Sequence, residues 1–287
     1  MHKKIRALLD LGRVSNLPSV VTNVLAAWVL AGATLGLGLL PVSLGAILLY
    51  LAGTTLNDAV DAKFDREHRP GRPIPAGVFG VASVWAIGLV YAVLGGGLLV
   101  FFSGAYVAWI GALIVAILIY DIVHKKWKGG VFVMGSCRLF LYMVAASAAV
   151  GGFGLEPLVL LWAAALFLYI VGLTFVARGE STGGGVSLVA IAFIAAPVFA
   201  AVATLALEGG GVAFGICLIV MLGWIGVCLR RLKGEDPARI GQFVGRLLAG
   251  IPLIDALAVS SIEPWLGVAI LFALPLSMGL QRLVAAT

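Results

Sequence analysis

Asn57-Asp58-Ala59-Val60-Asp61-Ala62-Lys63-Phe64-Asp65 closes an apolar run and opens into Arg69-Pro70-Gly71-Arg72-Pro73-Ile74-Pro75-Ala76-Gly77. Four of the 13 acidic residues of the chain fall between Asp58 and Glu67, in a protein that is 62% hydrophobic. A carboxylate beside or inside a membrane is costly and is retained where it has a task. The spacing indicates that task. If the apolar segment continues as a helix, Asn57, Asp61 and Asp65 stand at i, i+4 and i+8 on one face, with Asp58 beside them. Oxygen-bearing side chains on one face suit a hard divalent cation such as Mg²⁺.

The composition around this stretch sets the class. Only 11% of residues are charged and the mean hydropathy is +1.14, whereas soluble domains carry about 25% charged residues. The chain therefore reads as an integral membrane protein, and its 38 glycines suit closely packed spanning helices. A net charge of +6 does not indicate nucleic acid, because the basic residues sit in short clusters between apolar segments and no nucleic-acid motif is present. Cys137, Cys217 and Cys228 lie in or at the ends of apolar segments, without metal-ligand spacing or a disulfide framework.

Spanning helices need about 20 mostly apolar residues. Ten candidates follow: 17–37, 41–60, 79–100, 104–123, 131–151, 156–176, 185–207, 211–230, 241–260 and 265–283. The 241–260 segment is the weakest, since it holds Gln242, Arg246, Pro252 and Asp255. If it or another segment is re-entrant or interfacial, nine remain. The basic N-terminus leads into an uncleaved first helix. Lys and Arg fill alternate gaps (Lys63–Arg72, Lys125–Lys128, Arg178, Arg230–Arg239, Arg282), while the other gaps carry only Glu156, Glu208 and Glu263. The positive-inside rule puts the first set, and the acidic motif with it, on the cytoplasmic side of the membrane. No repeat or linker divides the chain, so residues 1–287 read as one all-α bundle. Nothing in the sequence sets an oligomeric state.

Two further gaps hold chemistry. Tyr120-Asp121-Ile122-Val123-His124-Lys125-Lys126-Trp127-Lys128 is at its plainest a set of positive-inside lysines with an interfacial aromatic. Its functional reading gives Lys125 or Lys126 to a phosphate, turns Tyr120 to a cavity and leaves His124 at the interface. Ala177-Arg178-Gly179-Glu180-Ser181-Thr182-Gly183-Gly184-Gly185 is either a local ion pair in a glycine loop or a second site, with Glu180 for metal and Arg178 for diphosphate. No Gly-Lys-Ser/Thr follows those glycines, so they are not a P-loop. Carboxylates that hold Mg²⁺, with Arg or Lys to neutralise the remaining phosphate charge, describe a metal–diphosphate site. Asn16 and Asn23 in the first helix line an acceptor pocket or bond a neighbouring helix. Arg138 snorkels or reaches the cavity, and Asp255 pairs with a basic residue such as Arg246, or with none that the sequence identifies.

Asn57-Asp58-x-x-Asp61-x-x-x-Asp65 followed by Arg72-Pro73-Ile74-Pro75-Ala76-Gly77 resembles the first aspartate-rich signature of the UbiA superfamily of intramembrane prenyltransferases. Tyr120 followed by Lys125-Lys126 resembles the family's tyrosine and basic pair, and the order of motifs is similar over residues 1 to about 230. The resemblance implies a bundle of nine transmembrane helices around a central cavity open to the cytoplasmic side. It implies Mg²⁺-dependent transfer of a prenyl group from its diphosphate to a small acceptor, with the membrane lipid as surroundings. Asn57, Asp61, Asp65 and Glu180 then bind metal, and Asp58, Asp61, Asp65, Tyr120 and Glu180 are catalytic. Arg72, Lys125, Lys126 and Arg178 bind diphosphate, and Asn16 and Asn23 face the acceptor. The second acidic motif of the family is reduced to Arg178-Gly179-Glu180. With Gly12-Arg13-Val14-Ser15-Asn16-Leu17-Pro18, this resembles a divergent bacterial branch, sometimes called EboC-like, which implies a cyclitol-like or sugar-like polyol as an alternative to an aromatic acceptor. The competing classes are a membrane transporter or lipid carrier that uses Asp255, Glu180 and Arg178, and a phosphatidyl-alcohol transferase, whose leading glycine and arginine are missing here.

Overall fold

The computed structural model describes residues 3–125, 127–182, 187–230 and 237–284, the side chains of 179–182 and 237–239 excepted. No strand occurs among the described residues. The chain opens with a short amphipathic helix, α1 (Lys3–Leu11), that buries Ala7 and Leu11 and leaves its lysines in the open. A 3-10 turn (Val14–Asn16) leads into α2 (Leu17–Leu30). The first apolar segment is thus shorter than the sequence suggests. Its helix ends at Leu30, and Gly32 turns the chain with a positive φ of 82°.

Then come α3 (Leu39–Val60), α4 (Ala62–His68), α5 (Val81–Phe102), α6 (Val107–Val123), α7 (Gly130–Val150) and α8 (Pro157–Thr182). The last part of the chain holds three broken helices, α9 (Leu188–Ile194) with α10 (Ala196–Glu208), α12 (Pro237–Ala249) with α13 (Ile251–Ser260), and α14 (Pro264–Ile270) with α15 (Ala273–Gln281), and between the first two the unbroken α11 (Val212–Arg230). Eight stretches are long and apolar enough to cross a membrane, and Val14–Leu30 and Val107–Val123 are shorter apolar helices. Large apolar side chains such as Leu89, Val93, Phe101, Phe199, Ile219 and Trp265 point outward. That arrangement suits lipid as the surrounding solvent.

Two packing features fix the frame. The first is the close approach of α3 and α5. A Cβ on Gly88 would stand 2.6 Å from Leu56, and one on Gly95 2.9 Å from the backbone nitrogen of Leu49. Helices in lipid have no hydrophobic drive to associate, so small residues that let backbones touch are what hold them together. The second feature reverses an expectation. Ile240–Ser260, the weakest span by sequence, is the most enclosed of the eight, with 83% of its most apolar stretch buried. All ten residues of α13 are buried, against α2, α11 and α14.

The break between α12 and α13 falls at Gly250, ahead of Pro252. Carbonyls freed inside a membrane must be satisfied by protein. Here Tyr169 donates to the Leu247 carbonyl (2.8 Å), Trp224 to Arg246 (3.2 Å) and Gln281 to Gly245 (2.9 Å). The polar residues that weaken this segment as an isolated span are therefore tolerated by its central position.

Candidate functional site

The acidic motif forms at the joint between α3 and α4. Asp61 breaks the helix assignment, but the hydrogen-bond ladder crosses it. Asp61 N–H donates to the Asn57 carbonyl (2.9 Å), Asp65 N–H to Asp61 (2.9 Å) and Arg69 N–H to Asp65 (2.8 Å). Asn57, Asp61 and Asp65 therefore lie along one side of a continuous helical line, and they and Asp58 are all buried. The Arg72–Gly77 segment folds back over this line. Ile74 is buried among Leu11, Ala59, Ala62 and Val84, worth about 2 kcal/mol of apolar burial. That anchor holds Arg72 where its guanidinium reaches Asp58 (2.7 Å) and Asp65 (3.2 Å).

Distant segments supply the remaining cations. Arg13 pairs with Asp58 (3.1 Å) and approaches the Asn57 amide oxygen (3.4 Å). Lys125 pairs with Asp61 (2.8 Å) while lying over the Phe64 ring, and His124 Nε2 stands 3.2 Å from the other oxygen of Asp61. The His124 ring stacks on Tyr120. Burial pushes the Asp61 carboxyl up, but the hydrogen bonds and charges of His124 and Lys125 outweigh it and hold it below the ordinary carboxylate range. Burial lowers the pKa of Arg72 against the pull of Asp58. For Arg13 burial also lowers it, but Asp58 and the nearby tyrosines raise it further. Both guanidiniums remain ionised.

Arg13 carries a second mark. Its backbone is left-handed (φ 42°, ψ 49°), and it is the single non-glycine residue with positive φ among the described residues. A non-glycine residue there carries strain of order 1–3 kcal/mol, offset by the buried ion pair with Asp58.

A cavity of ≈ 100 Å³ begins at this cluster and runs between α3, α6 and α7. Arg13, Asn57, Tyr120 and Asp121 line its mouth, and Ala46, Leu49, Leu113 and Leu141 line its far, apolar part. Asp121 accepts a hydrogen bond from Asn57 through Oδ1 (3.2 Å), while its buried Oδ2 has no hydrogen-bond partner among the described residues.

The structure brings Asn57, Asp58, Asp61, Asp65, Arg72, Tyr120 and Lys125 into one cluster. Lys126 and the Glu180 side chain lie outside the described residues. Arg178 donates to the Lys128 carbonyl (2.9 Å) and is not among the residues that line the cavity. Asn16 donates to the Tyr50 hydroxyl (3.1 Å), and Asn23 is fully buried one side chain behind the cavity wall. Arg138 reaches the cavity wall, the second of its two expected placements. Asp255 is bonded to Thr22, Asn23 and Tyr142, not to Arg246. His124, expected at the interface, belongs to the cluster. Arg13 is the site residue that sequence reading missed. A basic residue just ahead of the first span was the available signal, but its partner lies 45 positions away.

Among the described residues, no three carboxylates or imidazoles converge at metal-ligand spacing, because basic side chains stand between them. The donor set nonetheless fits a hard divalent cation. It is made of oxygens alone: Arg72 engages one oxygen of Asp65, and Lys125 and His124 engage the two oxygens of Asp61, so those two side chains must release Asp61 for it to take a metal. Asn57, Asp61 and Asp65 present theirs from one helical line.

Comparison with known proteins matches residues 19–251 to the UbiA prenyltransferase family. A 4-hydroxybenzoate octaprenyltransferase of Paracidovorax citrulli is 37% identical over 87 residues, covering 29% of this chain and 30% of that protein. A digeranylgeranylglyceryl phosphate synthase of Methanopyrus kandleri is 36% identical over 73 residues, 25% of this chain and 27% of that protein. The matched stretch thus spans under a third of either relative. Among solved structures, an apo UbiA homologue from Aeropyrum pernix K1 superposes with a TM-score of 0.65 at 16% identity, over 90% of this chain and 98% of that one. A structure described for digeranylgeranylglyceryl phosphate synthase in membranes gives 0.62 at 18% identity, over 91% and 99%. At such identities the superpositions speak for the fold.

Proposed function

Since the chain belongs to the UbiA prenyltransferase family, we propose that it transfers a prenyl or polyprenyl group from its diphosphate to a small acceptor within the membrane, releasing diphosphate. The observation that carries this reading is the cavity. A mouth of Arg13, Asn57, Tyr120 and Asp121 leads to a part lined by Ala46, Leu49, Leu113 and Leu141, the polarity that an amphiphilic substrate with a charged head and an isoprenoid tail requires. The distribution of Lys and Arg supports a cytoplasmic mouth.

Arg13, Arg72 and Lys125 hold positive charge where a diphosphate would lie, and fixed cations in a dry site favour charge that develops on a leaving group. Asn57, Asp61 and Asp65 would hold Mg²⁺, which would supply Lewis-acid stabilisation to the leaving diphosphate. Ala46, Leu49, Leu113 and Leu141 exclude water, which would otherwise quench an allylic cation. The acceptor atom that attacks the first prenyl carbon must lose a proton. Of Asp58 and Asp121, the latter is better suited to take it, since it lines the cavity with an oxygen that has no hydrogen-bond partner among the described residues. Asp58 is committed to Arg13 and Arg72. The acceptor is aromatic or a cyclitol-like polyol. The relatives named above carry hydroxybenzoate and glyceryl phosphate in their names.

The transport reading takes Asp255, Glu180 and Arg178 as a pathway. Asp255 is fully buried and bonded to Thr22, Asn23 and Tyr142, and Arg178 donates to the Lys128 carbonyl, so these two do not meet; the Glu180 side chain lies outside the described residues. The test of the transferase reading is Asp61→Ala in lipid nanodiscs. The variant should retain its helical circular dichroism and lose Mg²⁺-dependent diphosphate release from geranylgeranyl diphosphate. Release that survives the substitution, or wild-type protein that does not bind the prenyl diphosphate, refutes the reading.

A further inference from the structure

Behind the cavity wall, away from the acidic motif, six polar side chains from three helices form one closed network. The Asp255 carboxylate accepts from Thr22 Oγ1 (2.6 Å), from Asn23 Nδ2 (2.7 Å) and from the Tyr142 hydroxyl. The Asn23 carbonyl accepts in turn from Arg138 Nη1 (2.7 Å), and Arg138 Nη2 donates to Ser19 Oγ (3.0 Å). Asn23, Tyr142 and Asp255 are 0% exposed. The amide of Asn23 has one orientation that serves both neighbours, with oxygen toward the guanidinium and nitrogen toward the carboxylate. The network is thus a positive and a negative charge joined through a single amide, neutral as a whole.

A pair kept only for stability is expected to close into direct contact, since a buried ion pair gains from short range. Here no ion pair links Arg138 with Asp255 among the described residues; Asn23 stands between them. The effect is to turn the guanidinium toward the cavity, which Arg138 lines. It is 7% exposed and its centre lies 5.7 Å from the Tyr50 ring centroid. A guanidinium has five N–H donors, and Asn23 and Ser19 engage two nitrogens. Arg138 follows Gly130 by about two turns of α7, roughly 12 Å along the axis, so it stands deeper than the cations of the mouth. An isoprenoid tail gains nothing from that charge, and an allylic cation is repelled by it.

We propose that Arg138 is a specificity-determining residue that selects an acceptor with an anionic group, a carboxylate or a phosphate, and that Asn23 and Asp255 are the positioning residues that hold its guanidinium against the cavity. The proposal rests on the transfer reaction above, because it takes the cavity as the meeting place of donor and acceptor. It narrows the acceptor: a neutral aromatic or a neutral polyol leaves the Arg138 donors unmatched.

The experiment uses the full chain in nanodiscs loaded with geranylgeranyl thiolodiphosphate. Calorimetry then compares two matched pairs of probes, benzoate with benzamide and sn-glycerol 1-phosphate with glycerol. Wild type should prefer the anion in at least one pair by roughly tenfold or more, and the pair that does so separates carboxylate from phosphate. Arg138→Gln should lose the preference and Arg138→Lys should keep part of it. The double variant Arg138→Gln/Asp255→Asn carries no unpaired buried charge; it should fold and still lack the preference. Affinity for the thiolodiphosphate should hold in every variant. Wild type with no preference in either pair, a double variant that retains it, or loss of thiolodiphosphate affinity in Arg138→Gln each overturns the proposal. Wild type that fails to bind the thiolodiphosphate at all refutes the transfer reading instead.

Discussion

Asp255→Ala should destabilise the bundle far more than loss of one small side chain suggests. It removes the acceptor of three hydrogen bonds, from Thr22, Asn23 and Tyr142, at a place with no water to replace it. It also leaves the Arg138 guanidinium without its balancing charge. A buried donor left unmatched costs about 1–3 kcal/mol in a soluble protein, while interhelical hydrogen bonds in membranes average about 0.6. Three donors at the lower figure give about 2 kcal/mol. A buried charge deprived of its partner brings the loss to about 3–5 kcal/mol, a fall in Tm on the order of 10 °C. Tyr142→Phe, which removes one donor and no volume, should cost about 1 kcal/mol.

Cys217 and Cys228 are fully buried, so a thiol-reactive dye reports unfolding directly in detergent. Cys137, which lines the cavity, is replaced by serine beforehand. In the cycle Arg138→Gln, Asp255→Asn and the double variant, the two charges should couple, and the double should lose less than the sum of the singles by about 0.5–3 kcal/mol. Strict additivity, or Asp255→Ala within about 1 kcal/mol of wild type, would show that the network does not act as a unit.

The α3–α5 contact gives a paired test. Gly95→Ala places its Cβ against the backbone of Leu49 and Gly45 and should cost about 1–3 kcal/mol, whereas Gly97→Ala, with nothing within 4 Å, should be close to neutral by the same dye assay. At Arg13, Ala and Gly both remove the ion pair, but only Gly relieves the left-handed backbone. Arg13→Gly should therefore be about 1 kcal/mol more stable than Arg13→Ala, and equal stability would deny the strain. Ala46→Phe fills the apolar part of the cavity and should cut turnover with geranylgeranyl diphosphate more than with dimethylallyl diphosphate. An equal effect on both chain lengths would place the isoprenoid elsewhere.

What was legible in the sequence was local. The i, i+4, i+8 oxygens survive into the structure because helix periodicity needs only neighbours along the chain, and the apolar segments mark out the spans for the same reason. What joins segments was harder to read. Arg13, His124 and Arg138 each look like ordinary basic residues near a membrane surface, and their partners are 45, 63 and 115 positions away. The 241–260 segment shows how a one-dimensional reading inverts. Averaged hydropathy counts Pro252 and Asp255 against it, yet a buried carboxylate is tolerable only where protein replaces lipid around it, so the span that Asp255 interrupts belongs at the centre. Polar interruptions of apolar segments thus carry a signal that hydropathy alone does not. Asn23, Arg138 and Asp255 interrupt three different apolar segments with an amide, a cation and an anion, which are the complementary groups that a buried network needs. The cation of that set stands on the cavity wall and the anion is held behind Asn23, so a negative group in the cavity meets the guanidinium first.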